Sequence, residues 1–338
     1  GQMTQGMDLN HQTVMLERCA KEGETYTIDL QGYTGVMFAE LTFTMEAVEV
    51  DEKINEIYYD IVVPLQGFSR MQEDDKVRKD LRTILNNTVN LLDLRTPYSD
   101  SFYQSIEEAH NYIQKALYED MSGYEDVIAS CIGHTHIDVA WLWTVAQTRE
   151  KVARSFSTVL KYMDEYPEYK FIQSQPAEYE MCRKLYPELF ERIKAAVKKG
   201  QWIAEGAMWV EPDTNMASGE ALIRQLLYGK QYYKDVFDVD SEVLWLPDTF
   251  GYTGALPQIL KGCKVNYLVT QKIFWSYNEG EQFPYHYFNW EGIDGSRIVS
   301  FLPTSYTYKT NPKQLEEVWK NRSCLLYTSD AADDRISV

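Results

Sequence analysis

The chain has 338 residues, room for one large or two medium domains. Its 33 Lys and Arg face 51 Asp and Glu, a net charge of -18, which argues against nucleic acid or an anionic membrane as partner and suits a neutral substrate. No apolar run reaches the ~20 residues of a membrane span and no charged-then-apolar leader opens the chain, so no membrane partner is expected.

The N-terminal part reads as β-rich. Residues 25–30 and 41–50 carry β-branched and aromatic residues, with Leu41, Phe43, Met45 and Ala47 alternating against polar neighbours. A third strand is expected over 57–65, ended by Pro64 and Gly67. Two amphipathic helices follow. In 74–94 the stripe is Val77, Leu81, Ile84, Leu85 and Leu92, and in 99–118 it is Phe102, Ile106, Ala109, Ile113 and Leu117, with Ser99 or Asp100 as cap. His110, beside that stripe, reads as a packed helical histidine.

From residue 126 strands and helices alternate. The apolar run 127–132 reads as a strand, followed by a helix from about 149 to 162, a short strand 171–173, and a helical stretch 177–199 broken at Pro187 and stopped by Gly200. Then come a strand 202–210, a helix 219–236, a strand to Leu246, a helix to Lys261 and a strand 266–269. This alternation implies a parallel sheet or barrel with crossover helices, whose active site lies at the carboxyl ends of the strands. The fold class is α/β. The expected division is a β-rich domain 1–70 (a partial β-sandwich), a helical linker 71–125 and an α/β catalytic domain 126–323.

The segment I-G-H-T-H-I-D-V-A-W-L-W, 132–143, carries the first chemical signal. Residues two apart in an extended strand face the same side, so His136 and Asp138 offer a nitrogen and a carboxylate to one point, a pairing suited to zinc. Two further strand-like runs end in a carboxylate just after a proline: Asp213 in W-V-E-P-D-T-N, 209–215, and Asp248 in V-L-W-L-P-D-T-F-G, 243–251. Three strands thus deliver His or Asp to the same end of the fold.

The motifs G-H-T-H-I-D-V-A-W, W-V-E-P-D-T-N and W-L-P-D-T-F-G-Y-T-G-A-L-P-Q-I-L resemble, in order and spacing, glycoside hydrolase family 38, the retaining alpha-mannosidases, and its cytosolic and bacterial branch most closely. The resemblance covers about 126–322 and implies an incomplete seven-stranded (β/α) barrel-like catalytic domain, with chain missing at both ends. It implies Asp213 as the catalytic nucleophile and His136, Asp138 and Asp213 as ligands of Zn2+, or of another divalent transition metal such as Co2+. It implies Trp141 as the sugar-packing tryptophan, with Trp143 left to the core. His134 and Asp248 support the site; Asp248 holds neighbouring groups or meets the sugar. A fourth metal ligand, a histidine, and the general acid/base are expected downstream, His286 being in an aromatic-rich loop instead. The partner implied is a mannose-containing oligosaccharide, and the family implies homo-oligomeric assembly.

Two other readings stand beside this one: a zinc-dependent polysaccharide deacetylase-like amide hydrolase, which needs no nucleophile such as Asp213, and a non-catalytic carbohydrate-binding domain. The isolated cysteines Cys19, Cys131, Cys182, Cys263 and Cys324, with no C-x-x-C pair, read as reduced residues of a cytoplasmic protein. The last segment, C-L-L-Y-T-S-D-A-A-D-D, breaks the pattern. Back-translated it resembles a transposase adapter used in library preparation, so 324–338 is read as a non-native tail.

Overall fold

A computed structural model of the chain describes residues 13–30, 44–121, 129–274 and 283–329. They fall into two compact units, one formed by Leu41–Ser130 with Thr307–Tyr327 and one centred on Cys131–Tyr306.

The first unit is helical among its described residues. It contains α1 (Glu52–Phe68), α2 (Lys76–Leu91) and α3 (Asp100–Ile113), the last running into a π-helical turn, Gln114–Glu119. Each helix opens on a side-chain cap: Asp51 accepts from Ile54 N, Asp75 from Val77 N and Ser99 from Phe102 N, satisfying backbone donors that the first turn leaves open. Ile57, Leu81, Ile84, Leu85, Phe102, Ile106, Ala109 and Ile113 form its core.

The strand expected over 57–65 is instead the middle of α1. Ile54, Ile57 and Ile61 fall at helical spacing behind the Asp51 cap and pack into the core, and that burial outweighs the β-branched composition. Pro64 sits inside the helix. No strand forms at 25–30 or 44–50, where Met45 and Val48 are exposed; Leu41 and Phe43 lie outside the described residues. His110 is a helix-packing residue: its Nδ1 meets Asp60 Oδ2 on α1 at 2.7 Å.

The second unit is α/β. Its elements after the opening strand β1 (Gly133–His134) are α4 (Val145–Glu165), β2 (Phe171–Gln173), α5 (Pro176–Leu185), α6 (Pro187–Lys198), β3 (Trp202–Ala204), α7 (Gly219–Phe237), β4 (Val243–Leu246), α8 (Leu256–Gly262), β5 (Tyr267–Thr270), β6 (Tyr287–Glu291) and β7 (Arg297–Phe301). Of the strand expected over 127–132, residues 127 and 128 lie outside the described residues and 129–132 are not strand, the strand starting at Gly133; that expected over 202–210 is regular only to Ala204. The break between α5 and α6 falls at Pro187, and Gly200, at φ +70°, ends α6 in a left-handed turn.

β1, β2 and β3 form one parallel sheet; β4, β5 and β7 form a second, with β6 antiparallel at its edge. In both sheets the parallel strands lie side by side in chain order, as successive right-handed crossovers would place them. The segment after β3 links the sheets. Gly206 O accepts from Trp245 N, and the Glu205 carboxylate accepts from Ser241 Oγ, Glu242 N and Val243 N at the start of β4. Gly206 has to be glycine: its φ is +156°, and a Cβ there would lie 2.4 Å from Ser174 O.

Helices α4, α5 and α6 cover the first sheet through Phe156, Tyr179, Ile193 and Trp202, while Leu226, Leu244, Leu260 and Leu268 fill the core around α7, α8 and the second sheet. Burying each such side chain contributes about 1.5–3 kcal/mol. The result is a rigid platform beneath the loops that leave the strands' carboxyl ends. Among the described residues no helix is long and apolar enough to cross a membrane.

Candidate active site

β1 ends at His134, and the chain leaves it extended, so His136 and Asp138 emerge on one side. His136 Nε2 lies 3.2 Å from Asp138 Oδ1. The loop after β4 brings Asp248, whose Oδ2 lies 3.1 Å from the same Nε2. On the other side of the ring, His136 Nδ1 lies 3.0 Å from Glu211 Oε2, on the loop after β3. Lys272, just past β5, reaches Asp248 Oδ1 at 2.6 Å with its own side chain only 5% exposed. The Tyr306 ring stands 5.9 Å from the His136 ring, edge on.

A web of buried side chains fixes these loops. Gln175 Nε2 donates to Ile137 O and to Glu178 Oε1, while its Oε1 accepts from Glu211 N. Ser174 Oγ donates to Glu211 Oε1 at 2.9 Å. Trp143 Nε1 donates to Asp138 O and Thr148 Oγ1, holding the turn after Asp138. Trp143 is therefore a half-buried strut, with the Lys151 ammonium 3.9 Å above its ring, rather than a core residue.

The carboxylates dominate the electrostatics. Burial disfavours a charged His136, but contact with Glu211 and the charges of Glu211, Asp138 and Asp248 outweigh it and raise its pKa to about 9. His134 behaves oppositely: burial, then the neighbouring His136, pull it down to about 3, so it stays neutral. Neither of its ring nitrogens has a hydrogen-bond partner among the described residues, and its ring packs against Trp245 at 5.2 Å. The fully buried Glu178 is raised well above the usual carboxylate range by burial, then by Glu211 and Asp138. The Tyr306 phenol is also raised, by burial and then by Asp248.

Of the residues expected at the site, His136, Asp138 and Asp248 come together, their ligand atoms all within 4.8 Å of one another. Asp248 is thus a member of the cluster itself. Asp213 is not: it is exposed, and its Oδ1 accepts from Asn215 N at 2.9 Å. Its loop nonetheless lies against the Asp248 loop, since Thr214 Oγ1 donates to Gly251 O and Thr249 Oγ1 to Pro212 O. Trp141 is 68% exposed and packs edge-to-face on Trp143. Glu211, Lys272 and Tyr306 had no part in the sequence reading. Glu211 was legible, two residues before Asp213 in an extended segment; Lys272 and Tyr306 belong to no motif.

The donor set fits a divalent cation. One imidazole nitrogen and two carboxylates are the ligand types of zinc, and bonds of 2.0–2.1 Å in a tetrahedron put neighbouring ligand atoms about 3.3–3.4 Å apart. The 3.1 and 3.2 Å separations from His136 Nε2 are close to that edge. Among the described residues this is the group of His, Cys, Asp and Glu able to hold a metal.

Comparison with known proteins shows which family the chain resembles. The chain is 36% identical over 299 residues to Alpha-mannosidase G of Dictyostelium discoideum, covering 85% of this chain and 27% of that protein. It is 38% identical over 218 residues to an Alpha-mannosidase of Saccharomyces cerevisiae (64% of this chain, 19% of that one). With the human Alpha-mannosidase 2C1 it shares 43% identity over 188 residues, 56% of this chain and 18% of the other. The chain therefore spans about a quarter or less of the length of these curated relatives. The family pattern described as glycosyl hydrolases family 38 N-terminal domain matches residues 126–334, running into the segment read from sequence as a non-native tail. With that match over more than half its length, the chain belongs to glycosyl hydrolase family 38.

Proposed function

We propose that the protein is an alpha-mannosidase that removes terminal alpha-D-mannosyl residues from oligosaccharides. The observation that carries this reading is the convergence of His136, Asp138 and Asp248 at strand carboxyl ends, on a chain of family 38. In the proposed arrangement the two sheets belong to one seven-stranded barrel-like domain within 126–323. The thiols of Cys19, Cys182 and Cys263, in no disulfide among the described residues, suit a cytoplasmic location.

His136 Nε2, Asp138 and Asp248 would hold Zn2+ or Co2+; Asp213, outside that cluster, lies on the loop that packs against the Asp248 loop. When bound, such an ion supplies a positive centre for the hydroxyl groups of the sugar. Glu211 keeps the His136 ring turned, and the Lys272 ammonium, 2.6 Å from Asp248 Oδ1, holds that carboxylate in place. Trp141 offers an exposed apolar face to the C–H face of a hexose. Asp213 is the proposed nucleophile: it attacks the anomeric carbon, the leaving oxygen departs with a proton from an acid, and water then hydrolyses the mannosyl ester with net retention.

The test is trapping with a fluorinated mannosyl donor on the full-length protein. The adduct is expected on the peptide containing Asp213, and a label on another carboxylate would reassign the nucleophile. Release of acetate from an N-acetylated polysaccharide, with no adduct, would favour the amide-hydrolase reading instead.

A further inference from the structure

The His136 ring has two polar edges in different surroundings. Nε2 faces Asp138 and Asp248 at 3.2 and 3.1 Å, where a metal would be gripped, while Nδ1 faces Glu211 Oε2 at 3.0 Å. The approach at Nδ1 is off the line of an ideal hydrogen bond, and both atoms are buried with no other hydrogen-bond partner. Glu211 is itself held on two sides. Ser174 Oγ donates to its Oε1, and Gln175 Oε1 accepts from its N–H. The amide of Gln175 also donates to Ile137 O, between His136 and Asp138, so one buried side chain sets the distance between the two loops.

We infer that Glu211 is a positioning residue that takes Nδ1–H of His136 and thereby fixes the ring with Nε2 aimed between Asp138 and Asp248. A ring nitrogen binds metal only through its lone pair, and the hydrogen bond at the other nitrogen decides which lone pair is presented. A carboxylate in that place also makes the opposite nitrogen a stronger donor. The inference rests on the metal-site reading for its purpose, and on the contacts of Glu211 alone for its geometry.

The experiment compares the 338-residue chain with Glu211→Leu and Glu211→Gln. Zinc affinity, read by chelator competition, is expected to fall about 10–100-fold in Glu211→Leu, the range for losing such a partner, and only a few-fold in Glu211→Gln, which keeps an acceptor at Nδ1. Glu211→Met takes the place of the leucine chain if that one does not fold. A proton–nitrogen correlation spectrum read without zinc should show a slowly exchanging Nδ1–H of His136 in the parent and Glu211→Gln, lost or shifted in Glu211→Leu. Identical Nδ1–H signals in parent and Glu211→Leu, or unchanged zinc affinity, overturn the positioning role. A parent that takes up no zinc, while its Nδ1–H signal depends on Glu211, overturns the metal reading and leaves the positioning role standing.

Discussion

Among the described residues Lys272 is the lysine ion-paired with the carboxylate cluster, and its removal should be felt throughout the site. Its ammonium lies 2.6 Å from Asp248 Oδ1, with the side chains 5% and 18% exposed. At an effective dielectric of ~20 the gross attraction at that separation is on the order of 6 kcal/mol, much of it offset by the cost of desolvating both groups. Lys272→Met leaves Asp248 beside Asp138, with Glu211 across the His136 ring and the His136 proton as the remaining positive charge of the cluster. Breaking a buried pair from one side typically costs about 3–5 kcal/mol, and that is the loss of unfolding free energy expected here. Asp248→Asn should also destabilise, because it strands the ammonium near the Phe250 and Tyr306 rings. The double variant Lys272→Met/Asp248→Asn removes both charges, so its cost should fall short of the sum of the single costs by about 2–3 kcal/mol. Urea unfolding of the four chains measures this coupling. Additivity within ~0.5 kcal/mol would refute the claim that the two side chains act as a pair.

The pH dependence of stability should carry the signature of Glu178. Its folded pKa is raised above the unfolded value, so the folded state holds an extra proton between the two and stability falls as pH rises through that window, by up to about 1.4 kcal/mol per unit. Glu178→Gln should lessen the decline in urea midpoint between pH 5 and pH 8; equal declines in both chains would contradict the assignment. Zinc must displace the proton that His136 holds up to about pH 9. Calorimetry at pH 7 in buffers of different ionisation enthalpy should therefore report close to one proton released, and affinity should strengthen up to about tenfold per unit below pH 9; release of none would show that the ring does not bind metal. In the full-length protein, Asp213→Asn should abolish nearly all turnover of an aryl alpha-mannoside with zinc content retained, whereas Asp248→Asn should lower zinc content first. The opposite pattern would exchange their roles.

Parts of this architecture are legible in the sequence because local signals and tertiary packing agree. The α5–α6 break follows from Pro187, the end of α6 from Gly200, and the helices over α4 and α7 from their apolar stripes. His136 and Asp138 follow from the period of an extended chain, and Asp248 from its place at the end of β4. The reading fails where signals conflict. Residues 57–65 carry β-branched side chains, but Asp51, four residues before Asn55, starts a helix whose Ile57 and Ile61 find a core supplied by α2 and α3. Lys272 and Tyr306 were invisible for another reason. Each reaches Asp248 from a different strand end, and no spacing within a segment encodes a contact made between segments.

The 211–213 segment shows how one turn separates two carboxylates that strand periodicity would pair. Glu211 points inward, its side chain 8% exposed and held by Ser174 and His136. Asp213 points outward, its Oδ1 occupied by Asn215 N in a turn that opens directly after Pro212. The proline ends the extended chain and the turn rotates the next side chain away, so the inner carboxylate can serve the histidine while the outer one meets solvent. Such a division suits a glycosidase. Asp138, Glu211 and Asp248 each contact a cation or a protonated ring, whereas Asp213 has no ion pair among the described residues. The loop bearing Asp213 is still anchored: Thr214 bonds Gly251 O, and a Cβ at Gly251 would lie 2.2 Å from Asn215 Nδ2, so the glycine lets the two loops close on each other. Asp213 is thus anchored through its neighbours to the loop bearing Asp248 and carries no ion pair among the described residues, which suits the nucleophile role proposed for it.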